Sequence, residues 1–347
     1  MKGQRHVNIP IFIPHLGCPN QCVFCNQRTI SGVKEFDPAL LTGIIEATLE
    51  SIEKNADVEI AFFGGSFTGI DRNLMISLLK TAHSYIESGK VSGIRLSTRP
   101  DYINSEILDI LKKYGVTVIE LGLQSASDAV LSASKRGHTR IDELNACRLI
   151  KDYGFTLVGQ MMIGLPLSDL ESELETAKFI ADVGADCARI YPTVVFKDTE
   201  LCKMQSDGIY APLELSDAVS RCAEVFAFFK EKGVKVIRIG LQSSENLTST
   251  DTYFAGPNHS ALGELVLSEY YYRKISKYLK ENNIKDATQL TVRVALGELS
   301  KAIGQRRTNK NKISEQFNIC KINFIEDENI LPLDLVIDAN RKEAVCI

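Results

Sequence analysis

From residue 7 to about residue 240 the chain alternates short apolar runs with longer amphipathic stretches, and no other feature limits its fold as much. The apolar runs are VNIPIFIP (7–14), VEIAFF (58–63), GIRLST (93–98), VTVIELG (116–122), FTLVGQMMIG (155–164), DCARIYPT (186–193) and VKVIRIG (234–240). Runs of this length suit strands buried on both faces. The stretches between them have helical spacing. Asp37 is placed to cap the first and Pro38 fits its first turn, while Gly115, Gly154, Gly184 and Gly233 stand where helices stop. Strict β–α alternation makes a parallel barrel or an open doubly wound sheet. In both, chemistry gathers at the carboxyl ends of the strands. The unusual segments fall there: LGCPNQCVFC, GGSFTG, RPD, LQSASD, GLPLSD and PTVVFKD follow the first six runs in turn.

With 347 residues, 44% of them hydrophobic, the chain can build a large core and a second small domain. A formal net charge of −4 does not advertise nucleic-acid binding in bulk, so any such site must be a local patch. No apolar stretch has the length of a signal peptide or a membrane span, and a cytoplasmic protein is expected. After residue 240 the pattern changes. Residues 241–260 read as a loop, followed by a long helix, and together 241–285 are expected to extend the 1–240 core. Residues 286–347 read as a small α/β domain: strand QLTVRV, helix LGELSKAIG, turn QRRT, helix NKNKISEQFN, strand KINFIED.

Nine cysteines are present. Cys147, Cys187, Cys202, Cys222, Cys320 and Cys346 are scattered singly and read as small buried hydrophobes. Cys18, Cys22 and Cys25 fall on one loop with C-x3-C-x2-C spacing. Three thiolates so close can hold three irons of a cubane and leave the fourth open, whereas electron-transfer clusters close all four positions. A zinc site completed by His15 is the competing reading. Gly64-Gly65-Ser66-Phe67-Thr68 follows the second strand, where two glycines allow close backbone approach.

The cysteine spacing, with an aromatic at Phe24, resembles the radical S-adenosylmethionine superfamily. The resemblance implies a partial parallel (β/α)6 TIM-like barrel with a [4Fe–4S] cluster on Cys18, Cys22 and Cys25. It further implies that S-adenosylmethionine chelates the open iron and is cleaved, by one electron, to methionine and a 5′-deoxyadenosyl radical. Gly64, Gly65, Ser66 and Thr68 are similar to the superfamily's GGE-type motif, which holds the cofactor's amino group; here Ser66 stands in place of the commoner glutamate. Phe24 belongs to the same cofactor set. Arg99 is placed to pair with the cofactor carboxylate, and Glu120 and Gln124 to bind ribose hydroxyls. Arg136 and His138 are rim candidates for substrate. An external one-electron donor such as flavodoxin or ferredoxin is implied.

NIPIFIPHLGCPNQCVFCNQ, LSTRPDYI, ELGLQSASDAVLSASKRGHT and RIYPTVVFKDTEL are similar to the radical domain of the elongator catalytic subunit, which modifies the wobble uridine of tRNA. The similarity covers about residues 5–270. GLPLSD resembles the corresponding stretch of coproporphyrinogen dehydrogenases. Too few residues follow for the elongator subunit's acetyltransferase domain. In the C-terminal unit, Ile303-Gly304-Gln305-Arg306-Arg307-Thr308-Asn309 looks like the core of a K-homology RNA-binding domain, with Arg307 in place of its second glycine. Arg306 and Arg307, with Lys301, Lys310 and Lys312, make this the most basic stretch. The reading that results is a radical enzyme acting on a tRNA or rRNA base. The alternatives are a radical enzyme acting on a small metabolite such as a tetrapyrrole, and a non-enzymatic, metal-stabilised RNA-binding protein.

Overall fold

The computed structural model describes residues 5–14, 16–18, 22–27, 31, 33, 35–53, 55–241 and 252–340. Of the expected loop at 241–260, residues 242–251 lie outside them, and Tyr253–Ala255 forms a strand. Two compact units emerge, Met1–Leu215 with Phe228–Asn258, and Ser216–Ala227 with His259–Ile347.

The first unit is built on seven parallel strands: β1 (His6–Ile13), β2 (Asp57–Gly64), β3 (Gly93–Thr98), β4 (Val116–Gln124), β5 (Thr156–Ile163), β6 (Cys187–Pro192) and β8 (Lys235–Ile239). Their order in the sheet is their order in sequence. A doubly wound sheet reverses direction at a switch point. This one never does, so every crossover runs the same way, and the result is a curled half-barrel rather than an open doubly wound sheet. A short pair, β7 (Val195–Phe196) and β9 (Tyr253–Ala255), adds an antiparallel ribbon.

The crossover helices begin and end where sequence chemistry requires. Asp37 accepts from the Ala39 amide at the first, with Pro38 opening its 3₁₀ turn. Thr139 and Asp142 close a capping box on Arg140–Asp152. The four helix-terminating glycines take φ between +72 and +82°.

The strands are not buried equally on their two faces. Along β6, Ala188, Ile190 and Pro192 are buried, and Cys187, Arg189 and Tyr191 between them are half-buried. On β3, Arg95 and Ser97 alternate in the same way with Leu96 and Thr98. The apolar set packs on the helices: a Cβ at Gly159 would meet Ile180 of helix Leu170–Asp182 at 2.8 Å. The polar set lines the concave face. Burying each Ile or Leu of the outer set contributes about 1.5–3 kcal/mol, so the sheet is anchored from outside and leaves its inner wall for chemistry.

In the second unit, β10 (Gln289–Val294) lies between β11 (Lys321–Glu326), parallel to it, and β12 (Leu335–Asn340), antiparallel. Helices Leu299–Ile303 and Thr308–Phe317 connect β10 to β11. The strand–helix–helix–strand order is as expected, and β12 is additional. The long helix Leu262–Glu281 belongs here and does not extend the first unit's core. Its stripe Tyr271, Ile275, Leu279 recurs every four residues and packs with Leu290, Val292, Ile313 and Phe317. No helix among the described residues is long and apolar enough to cross a membrane.

Candidate functional site

The cysteine loop leaves β1 and is held by main chain on three sides. Gly65 N–H donates to Ile13 O at 2.7 Å and Ser66 N–H to Leu16 O at 3.0 Å. Val23 N–H donates to Ser134 O at 3.2 Å, and Leu201 N–H to Val23 O at 2.8 Å. Val23 is buried against Val195, Leu201 and Tyr210, with Phe24 packed on the same cluster. The stretch after β6 is therefore a seat for the cysteine loop. Within the loop, Cys25 N–H closes a turn on Cys22 O at 3.0 Å.

Burial, then the neighbouring Cys22 thiol, raises the pKa of Cys18; Arg99, Arg136 and the Ser66 amide oppose the rise. Burial, then Cys22 and Cys18, pushes Cys25 up to about 12. Thiols that oppose one another's ionisation suit a cationic centre, which would draw off their protons and satisfy the charge. The donor set thus fits an iron–sulfur cluster. Among the described residues no group of three or more His, Cys, Asp or Glu side chains is gathered as a metal site. His15, the expected fourth ligand of the zinc reading, lies outside the described residues, as does Cys346. Cys147 and Cys222 are buried as small hydrophobes, whereas Cys320 is exposed.

The Gly64–Gly65 turn presses against the cysteine loop itself. A Cβ at Gly65 would stand 2.1 Å from Leu16 O, and one at Gly17 2.2 Å from Ser66 O. The glycines therefore dock two backbones together, before any ligand is considered. Ser66 and Thr68 turn their hydroxyls to Thr98 at 3.0 and 2.6 Å, inside a buried cluster that also receives the Arg99 amide. Arg99 forks onto Asp101 through Nε and Nη2, both at 2.9 Å, and leaves Nη1 buried without a protein hydrogen-bond partner.

Glu120 is 2% exposed and accepts from Arg95 at 3.0 Å and Arg189 at 2.8 Å. Burial raises its pKa against the pull of both guanidiniums, first Arg189 and then Arg95. Arg95 continues to Glu59 at 2.7 Å. Glu120 thus forms the middle of a charge ladder on the concave wall. Gln124 ends β4 at φ +74°, next to a register shift, and accepts from Gln160 at 3.3 Å. A non-glycine residue held there is a mark of functional sites.

Arg136 and His138, expected on the open rim, are both buried. Arg136 lies behind the cysteine loop, 3.2 Å from Cys22 Sγ. His138 bonds Glu143 at 3.0 Å. Burial, then Arg136 and Arg99, lowers its pKa to about 4, and burial raises that of Glu143 well above the ordinary carboxylate range. Arg306 and Arg307 are exposed in the second unit. Sequence reasoning missed Arg95, Gln160, Arg189 and Tyr191, although the alternation of R-L-S and R-I-Y in their strands carried the signal.

Residues 12–180 match the Radical SAM superfamily and residues 185–272 its Radical_SAM C-terminal domain. A tRNA uridine(34) acetyltransferase of Methanocaldococcus jannaschii is 28% identical over 77% of this chain and 54% of its own length. Human Elongator complex protein 3 is 30% identical over 67% of this chain and 45% of its own. An N-terminally truncated archaeal Elp3 from Methanocaldococcus infernus superposes with a TM-score of 0.60 at 25% identity, covering 81% of this chain and 64% of that one. The chain spans about half the length of the two sequence relatives. A parallel half-barrel, a cysteine loop seated on a glycine turn after its first two strands, and these matches make the chain an enzyme that belongs to the radical SAM superfamily.

Proposed function

We propose that Cys18, Cys22 and Cys25 hold a [4Fe–4S] cluster and that the adjoining rim binds S-adenosylmethionine for radical modification of an RNA base. The observation that carries this reading is the buried Nη1 of Arg99, a cation with an unused donor beside the cysteine loop. A carboxylate there would complete its hydrogen bonding and give a charge-assisted pair. Gly64 and Gly65 offer backbone groups to the cofactor's amino group, with Ser66 and Thr68 fixing the turn from behind through Thr98. Phe24 and Gln124 complete the cofactor wall. A cluster held by Cys18, Cys22 and Cys25 would supply one-electron reductive cleavage of the cofactor, with its electron drawn from an external donor such as flavodoxin or ferredoxin. The protein's part is to orient the cofactor and exclude water. The test is anaerobic reconstitution, reduction with dithionite and chromatography. 5′-Deoxyadenosine is expected even without substrate, and its absence from a fully loaded, reduced protein refutes the reading.

An RNA substrate is supported by the relatives, which carry tRNA-modifying and elongator names, and by the second unit. Arg306 and Arg307 sit side by side at φ +51 and +63°. Each left-handed arginine costs about 1–2 kcal/mol. The turn persists because Asn309 anchors it, donating to Ser268 O at 2.8 Å and Ala302 O at 3.1 Å. Two exposed guanidiniums on a stiff turn suit phosphates. Removing one cation from a phosphate flattens the salt dependence of log K by roughly 0.7–0.9. Replacing both arginines with alanine should reduce the slope for a fluorescent tRNA by up to about two. Superimposable titrations would rule out this turn as the RNA-binding element.

A further inference from the structure

A guanidinium that the cofactor roles above leave unused joins the cysteine loop to the fourth strand. Arg136 Nη1 lies 3.2 Å from Cys22 Sγ, and Nη2 donates to Gly122 O at 2.5 Å. The residue is 6% exposed. Its carbonyl accepts from Arg99 Nη2 at 2.5 Å, and its amide donates to Leu131 O at 2.9 Å. Lys135 and Gly137, on either side, are left-handed at φ +52 and +74°. A lysine held there is strained, and the strain aims the side chain between them. Gly122 belongs to the same arrangement: a Cβ there would approach Arg136 Nη2 to 3.4 Å and Gln124 Nε2 to 3.0 Å. Ser134, two residues before Arg136, accepts the amide of Val23, the residue after Cys22. The approach to sulfur is thus fixed from both partners' backbones.

Arginine stays protonated at any working pH, so Cys22 faces a permanent cation with a directed N–H. Hydrogen bonds to ligand sulfurs set cluster potentials, and a nearby positive charge favours the more negative, reduced state. We infer that Arg136 is a positioning residue that ties Cys22 to β4 and raises the reduction potential of the cluster, so that a milder donor can load its electron. This rests on the reading that the three cysteines hold a [4Fe–4S] cluster; it is independent of the substrate.

The experiment is a redox titration of the reconstituted protein followed by electron paramagnetic resonance, without S-adenosylmethionine or RNA. Wild type is compared with R136Q and R136K, with iron content and circular dichroism measured on each. The neutral variant should be about tenfold harder to reduce at equilibrium, a shift of about 59 mV for one electron. The lysine variant, which keeps the charge without the fork, should recover part of that. If R136Q is folded but loses its cluster, a lowered potential in a loaded R136K supports the inference. Full iron and wild-type potentials in both variants would overturn it. So would loss of fold or of iron in both, which would make Arg136 an architectural brace. A wild-type protein that takes up no iron is a separate result and removes the cluster reading itself.

Discussion

Replacing Gly65 with alanine tests whether the glycine turn serves the cysteine loop or only the cofactor. The added Cβ would stand 2.1 Å from Leu16 O and 2.8 Å from Ile13 O, both backbone atoms that no rotamer change can move. Ordinary contact begins near 3.4 Å, so the two segments must part by more than an ångström. Parting them breaks the backbone hydrogen bonds that Gly65 N–H donates to Ile13 O and Ser66 N–H to Leu16 O. Two such bonds contribute about 1–3 kcal/mol, and the overpacking costs about 1–3 kcal/mol more. The loop is easier to displace than the sheet, so the loss should appear as undocking of the cysteines. Iron content after anaerobic reconstitution should fall by more than about half. The control is Gly43→Ala, in an exposed helix position with nothing within 4 Å. It should keep its iron and gain up to about 1 kcal/mol, or roughly 2–4 °C in melting temperature. A Gly65→Ala protein with full iron and a wild-type melt would refute the argument, and the turn would then be a cofactor element alone.

Cys22→Ala should abolish the cluster's visible absorbance while leaving the far-ultraviolet circular dichroism unchanged, and a retained cluster would discredit the ligand set. Glu120→Ala leaves Arg95 and Arg189 without their shared carboxylate inside the wall, so urea unfolding should show a loss of about 3–5 kcal/mol. Glu46→Ala, which removes an exposed partner of Lys90, should leave the unfolding curve close to that of wild type. His138 titrates near 4 in the fold against 6.5 when free, so the unfolded chain takes up a proton the folded chain refuses. Its contribution is complete above pH 6.5 and is lost as pH falls towards 4; Glu143, shifted upward beside it, works in the opposite sense. Between those pH values wild type should therefore lose about 2–3 kcal/mol more than His138→Gln, and parallel stability curves would count against a neutral buried His138. Arg307→Gly relieves a left-handed arginine and should stabilise the protein by about 1 kcal/mol, while weakening tRNA binding; a lower melting temperature would contradict the strain assigned there.

Much of this could be read from residue order alone. Alternation of strand and helix, with the unusual residues placed after strands, located the cysteine loop, the glycine turn and Arg99 on one edge before any coordinates. The same reasoning did not anticipate the partners of the polar residues it placed by position. Glu120 lies near a strand end, yet Arg95 and Arg189 come from strands 25 and 69 residues away and claim both its charge and its geometry. Arg136 and His138 follow the fourth strand like rim residues, but the left-handed Lys135 turns the segment inward, and no local pattern announces that. The long helix was attached to the wrong unit because its stripe shows that it packs, not against what. Strand β12 escaped notice because its alternation, L-V-I-D-A-N, is short and half exposed.

The cysteine loop is fastened by amide-to-carbonyl bonds to three separate stretches of chain, none of which depends on metal. Iron–sulfur centres of this kind are exposed to oxidative loss. A loop held only by its metal would then drift away, and rebuilding would require the chain to find its geometry again. Tied by main chain at Leu16 and Val23, the loop would keep the three thiols of the proposed cluster at high effective concentration toward iron and sulfide. Damage to the proposed centre would then be a matter of refilling a standing template, without refolding the chain.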